Sequence, residues 1–188
     1  MATSIDLDDY LIAPDPSAAR LQRTVLGRDQ AGAEVSVQVV EERPLTIFLN
    51  AREIVTAMTI GDYPQYLALG FLRNQGMITD ADAVLGVEYD AESEAVVVRT
   101  EQVTRFEEKL TKKTRTSGCA VGTVFGDMME GLEGLRLPLS AVKLSELYAL
   151  ASKINRTPSI YLSAGAIHGT VLCEGGQPLV YMEDVGRH

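Results

Sequence analysis

Pro44-Leu45-Thr46-Ile47-Phe48-Leu49-Asn50 is the stretch on which the fold class turns. Leu45, Ile47 and Leu49 alternate with their neighbours at the period of two that a half-buried strand requires. Asn50-Ala51-Arg52 then turns the chain into Glu53 to Thr59, completing a hairpin. After Tyr63-Pro64 the period changes: from Gln65 to Asn74, Leu67, Phe71 and Leu72 keep helical spacing until Gly76 stops it. A strand period followed directly by a helical one marks a mixed α and β protein.

The same reading extends in both directions. Upstream, Leu21 to Leu26 and Val35 to Val40 are short β-prone runs. Downstream, Leu85 to Tyr89 and Ala95 to Arg99 flank Asp90-Ala91-Glu92-Ser93 as a second hairpin, and Leu144, Leu147, Ala151 and Ile154 mark a second helix starting near Ser140 or Ser145. Thr170 to Cys173 and Leu179 to Met182 flank Glu174-Gly175-Gly176-Gln177, a hairpin signal because paired glycines take positive φ without steric cost. Residues 1–18, with Pro14 and Pro16 among small and acidic residues, read as a flexible lead-in, and residues 19–188 as one domain without repeat, low-complexity tract or linker.

Composition narrows the function. With 46% hydrophobic and 23% charged residues, the 188-residue chain has an ordinary globular balance, enough for a buried core. A net charge of -9 works against a nucleic-acid role, since a polyanion is bound by cations that displace its counterions. No apolar run is long enough to span a membrane, and the N-terminus is acidic where a signal peptide is basic. A cytoplasmic protein is expected, acting without membrane or nucleic acid.

The most reactive chemistry is written around Cys119. Lys109, Lys112, Lys113 and Arg115 precede it, and Gly118 and Gly122 flank it. Nearby cations favour thiolate over thiol, and glycines leave the sulfur open to attack. Two readings stay open: an activated nucleophile on an open loop that leads into a helix start at Val121 to Met129, or a small buried hydrophobe behind a solvated basic loop. Cys173, inside an apolar strand beside Leu172, reads as structural. The order Cys119, His168, Asp184 superficially allows a thiol-hydrolase triad, and His168, His188 and nearby acids lack the spacing of a metal site, so no metal is assigned. Glu183-Asp184-Val185-Gly186-Arg187-His188 packs ionisable groups just past a strand, where α/β proteins place ligand sites.

Taken in order, several blocks resemble the FdhD/NarQ family of formate dehydrogenase accessory sulfurtransferases. They are Glu42 to Asn50, Ala57-Met58, Gly61-Asp62, Leu67 to Leu72 running on to Ile78, Gly118 to Gly122, Ala164 to His168, and Glu183 to His188. The last is similar to the family's Glu-Asp-Val-Gly-Arg-His without substitution. The resemblance implies a cytidine deaminase-like core with N-terminal β-hairpins and a catalytic role for Cys119 as the persulfide-bearing residue. It also implies a cysteine desulfurase as sulfur donor and a formate dehydrogenase as client. The acceptor would be a molybdenum or tungsten bis(molybdopterin guanine dinucleotide), with no cofactor permanently bound. Arg187, whose guanidinium offers paired donors to phosphate, is the candidate cofactor-binding residue.

Two departures shape the expectation. Many members carry Cys-x-x-Cys where this chain has Cys119-Ala-Val-Gly122, so the electrons for sulfide release come from elsewhere or from Cys173. Members also continue past the hexapeptide at which this chain stops. A chain cut short there is expected to bind the pterin dinucleotide or GDP poorly, and to form a homodimer or aggregate through an unpaired sheet edge. The alternatives in other classes are a truncated, non-catalytic partner-binding module and a thiol hydrolase.

Overall fold

In a computed structural model, residues 10–79, 83–101, 113–115, 123–125, 136–139 and 141–186 are described. The described residues fall into two compact units, one drawn from Met1–Glu42 with Pro138–Arg187 and the other from Arg43–Leu137. The sequence, which shows no linker, reads residues 19–188 as one domain. The architecture is mixed α and β, as expected.

In the first unit, β1 (Gln22–Arg28) pairs antiparallel with β2 (Glu34–Val40), as the two β-prone runs predict. In the second, β3 (Arg43–Leu49) and β4 (Arg52–Thr59) form the predicted hairpin, with Asn50 in the left-handed region at its turn. Leu45, Ile47 and Leu49 are each 1% exposed or less, so the alternation does mark a buried face. Helix α1 (Pro64–Asn74) follows and buries Ala68, Phe71 and Leu72. β5 (Val84–Asp90) and β6 (Ala95–Thr100) make the second hairpin. β6 then lies parallel to β3, Ile47 against Val96 and Leu49 against Val98, giving the sheet order β4-β3-β6-β5. Val96 and Val98 join the β3 leucines and α1 in one apolar cluster.

Two short strands, β7 (Lys113–Arg115) and β8 (Thr123–Phe125), pair antiparallel. This corrects the expected helix start within Val121 to Met129: two β-branched residues and an aromatic favour extended backbone at 123–125.

The first unit resumes with α2 (Leu144–Ile154), α3 (Ile160–Ala164), β9 (His168–Glu174) and β10 (Gln177–Asp184). α2 has the predicted extent, but its N-cap is Lys143, whose backbone amide donates to the Glu146 carboxylate at 2.9 Å. None of its residues is buried, and Leu144 and Leu147 are half or more exposed. Spacing legible as an inward face is therefore an outward one in this unit. β9 and β10 form the predicted hairpin with both turn glycines at positive φ. Within the stretch read as lead-in, residues 10–12 are docked: the Tyr10 hydroxyl bonds Thr157 at 2.7 Å, and Ile12 bridges Val180 in parallel. Among the described residues no helix is long and apolar enough to cross a membrane.

Tyr181 of β10 is 5% exposed and lies over Gly169 of β9, where an added Cβ would come within 2.8 Å of its ring. Burial first, and the Glu183 carboxylate beside it second, push the Tyr181 hydroxyl up to about 12. Gly169→Ala should therefore lower the unfolding free energy by about 1–3 kcal/mol in urea titration, because the ring is anchored and cannot yield. Gly86→Ala, with nothing within 4 Å of the new carbon, serves as the near-neutral control. The folded state also holds the Tyr181 proton more tightly than the unfolded chain does. This contribution to stability is complete below the ordinary value of 10.0 and is lost as pH rises through about 12. Denaturant titrations across that window should show stability falling less steeply for Tyr181→Phe than for the parent.

Candidate functional site

The hexapeptide that ends the sequence begins on the last strand. Glu183 and Asp184 are the final residues of β10, Val185 and Gly186 follow, and Arg187 and His188 lie outside the described residues. Consecutive strand residues point to opposite faces, so Glu183 and Asp184 do different work.

Glu183 turns inward and is 4% exposed. Its carboxylate accepts the backbone N–H of Ile160 at 2.7 Å and of Tyr161 at 3.1 Å, and the Tyr181 hydroxyl at 3.3 Å. The Ser159 hydroxyl accepts from Leu162 N–H at 3.3 Å. The opening amides of α3, which lack partners within the helix, are thus satisfied by one buried carboxylate and one N-cap serine. Negative charge also suits the positive end of the peptide dipoles there. Glu183 is a fastening between β10 and α3.

Asp184 faces the other way and is half-buried. Its register partner across the hairpin is His168, the first residue of β9 and exposed. The turn that delivers His168 is Gly165-Ala166-Ile167: Gly165 caps α3 with φ of 64°, Ala166 holds φ of 54°, and Ile167 is buried. A non-glycine residue in the left-handed region costs about 1 kcal/mol, and such positions gather near functional sites. Two elements that stand apart in sequence, Ala164 to His168 and the hexapeptide, therefore meet on one hairpin.

Cys119 lies outside the described residues, as do Gly118 and Gly122. The chain connectivity is nonetheless informative, because Arg115 and Thr123, which pair across β7 and β8, bracket the connection that carries the cysteine. Of the cations read before it, Lys113 and Arg115 fall on β7, while Lys109 and Lys112 are outside the described residues. Cys173 sits on β9, half-buried, opposite Pro178.

An open depression of about 390 Å³ in the second unit has an apolar floor of Phe48, Ala95 and Val97. Its edge is acidic. Glu88 pairs with Arg99 at 3.0 Å, and Asp90 accepts from the Ser93 hydroxyl at 2.6 Å and from Glu92 N–H at 3.0 Å. These bonds, the Ser93 hydroxyl foremost, hold the Asp90 carboxyl below its ordinary value. A depression rimmed by carboxylates does not suit a phosphate-bearing molecule.

Sequence reasoning missed Tyr10, Thr157, Ser159 and Tyr181 as members of the polar set around Glu183. The one local signal was Ser159 directly before Ile160-Tyr161-Leu162, an N-cap residue ahead of an apolar run.

The sequence profile of the FdhD/NarQ family matches residues 40–188. Among curated relatives, the sulfur carrier protein FdhD of Bacillus subtilis (strain 168) is 26% identical over 159 residues, covering 83% of this chain and 60% of its own. FdhD of Wolinella succinogenes is 24% identical over 170 residues, with 87% and 57% covered, and FdhD of Bordetella parapertussis is 27% identical over 186 residues, with 93% and 65% covered. The chain thus spans about three fifths of the length of these relatives. Among solved structures, that of "a putative formate dehydrogenase accessory protein from Desulfotalea psychrophila" superposes with a TM-score of 0.64 at 21% identity, covering 88% of this chain and 62% of that one, which shows a shared fold. With the profile running from β2 through the Cys119 connection to the hexapeptide, the chain belongs to the FdhD/NarQ family.

Proposed function

We propose that this chain is a sulfur carrier that holds sulfane sulfur on Cys119 as a persulfide for the maturation of a formate dehydrogenase. The observation that carries the reading is the profile match over residues 40–188, a single span containing Cys119, His168 and the hexapeptide. The curated relatives cited above are named sulfur carrier proteins, which supports the same assignment. The setting is the cytoplasm, the donor a cysteine desulfurase, and the fold a cytidine deaminase-like core.

The loading step is a thiol–disulfide type exchange. The Cys119 thiolate attacks the outer sulfur of the desulfurase persulfide. A new S–S bond forms on Cys119, the donor's S–S bond breaks, and the desulfurase cysteine leaves as its thiolate. No net electrons are transferred. The basic residues before Cys119 serve by favouring the thiolate and by attracting an acidic donor surface.

The acceptor substrate is a molybdenum or tungsten bis(molybdopterin guanine dinucleotide). Delivery as free sulfide would consume two electrons, which a Cys-x-x-Cys pair supplies by closing a disulfide. Gly122 stands at that second position here, so the reducing thiol comes from outside the loop. In the same reading His168, Asp184 and Arg187 lie toward the dinucleotide, with Arg187 on phosphate, and the carrier acts as a homodimer.

Incubation with a cysteine desulfurase and cysteine should add the mass of one sulfur to the chain, and Cys119→Ala should abolish the addition with its circular dichroism unchanged. Sulfur retained on Cys173 in that variant would move the site. Persulfide-independent co-purification with a partner would favour a binding module, and turnover of an ester or amide would favour a thiol hydrolase. Arg187→Ala should weaken binding of GDP, a surrogate for the dinucleotide, by about tenfold in calorimetry, the scale of one charge-assisted phosphate contact. Unchanged affinity would assign Arg187 a structural role.

A further inference from the structure

In the second unit, α1 covers one face of the sheet β4-β3-β6-β5. Ile47, Leu49, Val96 and Val98 point toward the helix. By alternation Phe48, Ala95 and Val97 point to the other face, where they floor the open depression of about 390 Å³. The surroundings of that floor are anionic. Glu88 and Asp90 stand opposite Val97 and Ala95 in register, and Glu53 stands opposite Phe48. On this face the carboxylates of Glu53, Glu88 and Asp90 outnumber the guanidinium of Arg99, which bonds Glu88 at 3.0 Å.

β5 also ends the sheet, and among the described residues no strand pairs with its outer edge. The backbone groups on that edge follow from β6. The Val98 carbonyl accepts Asn50 N–H at 2.8 Å on the β3 side, and Glu101 N–H donates to the Ala83 carbonyl at 3.0 Å on the β5 side. Val97 alternates with Val98 and so faces β5. Opposite residues in an antiparallel ladder exchange both bonds or neither. Glu88, opposite Val97, therefore bonds β6, and Val87, opposite Val98, turns its N–H and C=O to the outer edge. At the start of the same edge Leu85 is 68% exposed and Val84 42%, an apolar shoulder beside the acidic face.

We propose that β5 is the docking strand for a basic segment of a partner protein, which pairs its backbone with the outer edge at Val87 and sets lysine or arginine at alternate positions against Glu88 and Asp90. Strand addition of this kind takes affinity from the main chain and specificity from every second side chain. Strands lie about 4.8 Å apart, so Ala95 and Val97 are about 10 Å from the added strand, within reach of an extended arginine or lysine whose stem packs there. The occupant is a peptide because an open backbone edge and a row of carboxylates share one strand, and a free amine would use only the carboxylates. It is a different protein because a second β5 would bring the same carboxylates to the contact. The inference does not rest on the sulfur-carrier reading, and its test involves no sulfur.

Fluorescence anisotropy of the full chain with a labelled peptide in which lysine alternates with valine should show saturable binding that weakens as salt rises. The same residues arranged in two blocks should bind about tenfold more weakly. A valine opposite Val87 points its N–H at β5, whereas a lysine opposite Glu88 points its own away. N-methylation of the valines should therefore abolish binding, and N-methylation of the lysines should leave it unchanged. Glu88→Gln with Asp90→Asn should raise the dissociation constant about tenfold, and Glu41→Gln with Glu42→Gln, an equal change of net charge elsewhere, should not. If the first pair does not fold by circular dichroism, hydrogen exchange on the parent chain decides, since the peptide should slow the Val87 amide. The proposal is overturned by absent or unsaturable binding, equal affinity for the block peptide, or lysine methylation as damaging as valine methylation. Indifference to the changes at Glu88 and Asp90, a Val87 amide left unprotected, or displacement of the peptide by an equal concentration of spermidine would overturn it as well.

Discussion

The organisation of the first unit depends on the pair of hydrogen bonds that the Glu183 carboxylate accepts from the backbone of Ile160 and Tyr161. A five-residue helix has almost no stability of its own, because most of its amides are end groups. Here they are held by a strand that follows in the chain. Burying a carboxylate is costly unless its oxygens are satisfied, and two N–H donors with a phenol meet that condition. Once α3 is fastened to β10, the Gly165 to Ile167 turn is constrained at both ends, and His168 emerges opposite Asp184 because the ladder leaves it nowhere else to go.

This division of labour within the hexapeptide was not legible in the sequence. A strand's period of two predicts that Glu183 and Asp184 face opposite ways, and it does not say which face is covered. That depends on Ile160, some twenty residues earlier, and on Tyr10 near the start of the described chain. By contrast, the buried faces of β3 and α1 could be read directly, since each element's own spacing encodes the side it hides. Helix α2 shows the limit of such reading. Its Leu144 and Leu147 have inward spacing yet lie exposed, because periodicity reports that a face is apolar and not that something covers it. The β7 and β8 pairing was missed for another reason: three-residue strands fall below the length at which alternation can be seen.

The candidate site shows the same contrast. The register opposite His168 could have been anticipated from the glycine turn at Gly175 and Gly176, which sets the ladder, but for the irregularity between Pro178 and Val180 that shifts it. A one-residue slip would have paired His168 with a residue of the other face. Sequence could therefore name His168 and Asp184 as a set without showing that the hairpin brings them together. Cys119 is the opposite case: what singles it out can be read from the sequence, four cations and two glycines around it, and from its place in the chain between two strands that pair.

The charge is distributed unevenly along the sequence. A chain of net charge -9 repels anions at long range, and its one dense basic run stands directly before Cys119. Fields of this kind act on the approach of partners more than on final affinity. In the sulfur-carrier reading proposed above, an acidic donor would be drawn to the basic run before Cys119. The depression in the second unit, edged by Glu88 and Asp90, likewise disfavours a phosphate-bearing molecule. In the same sulfur-carrier reading, thiol reactivity and partner steering would rest on the same few lysines and one arginine, while the Glu183 carboxylate is buried among its own hydrogen-bond donors.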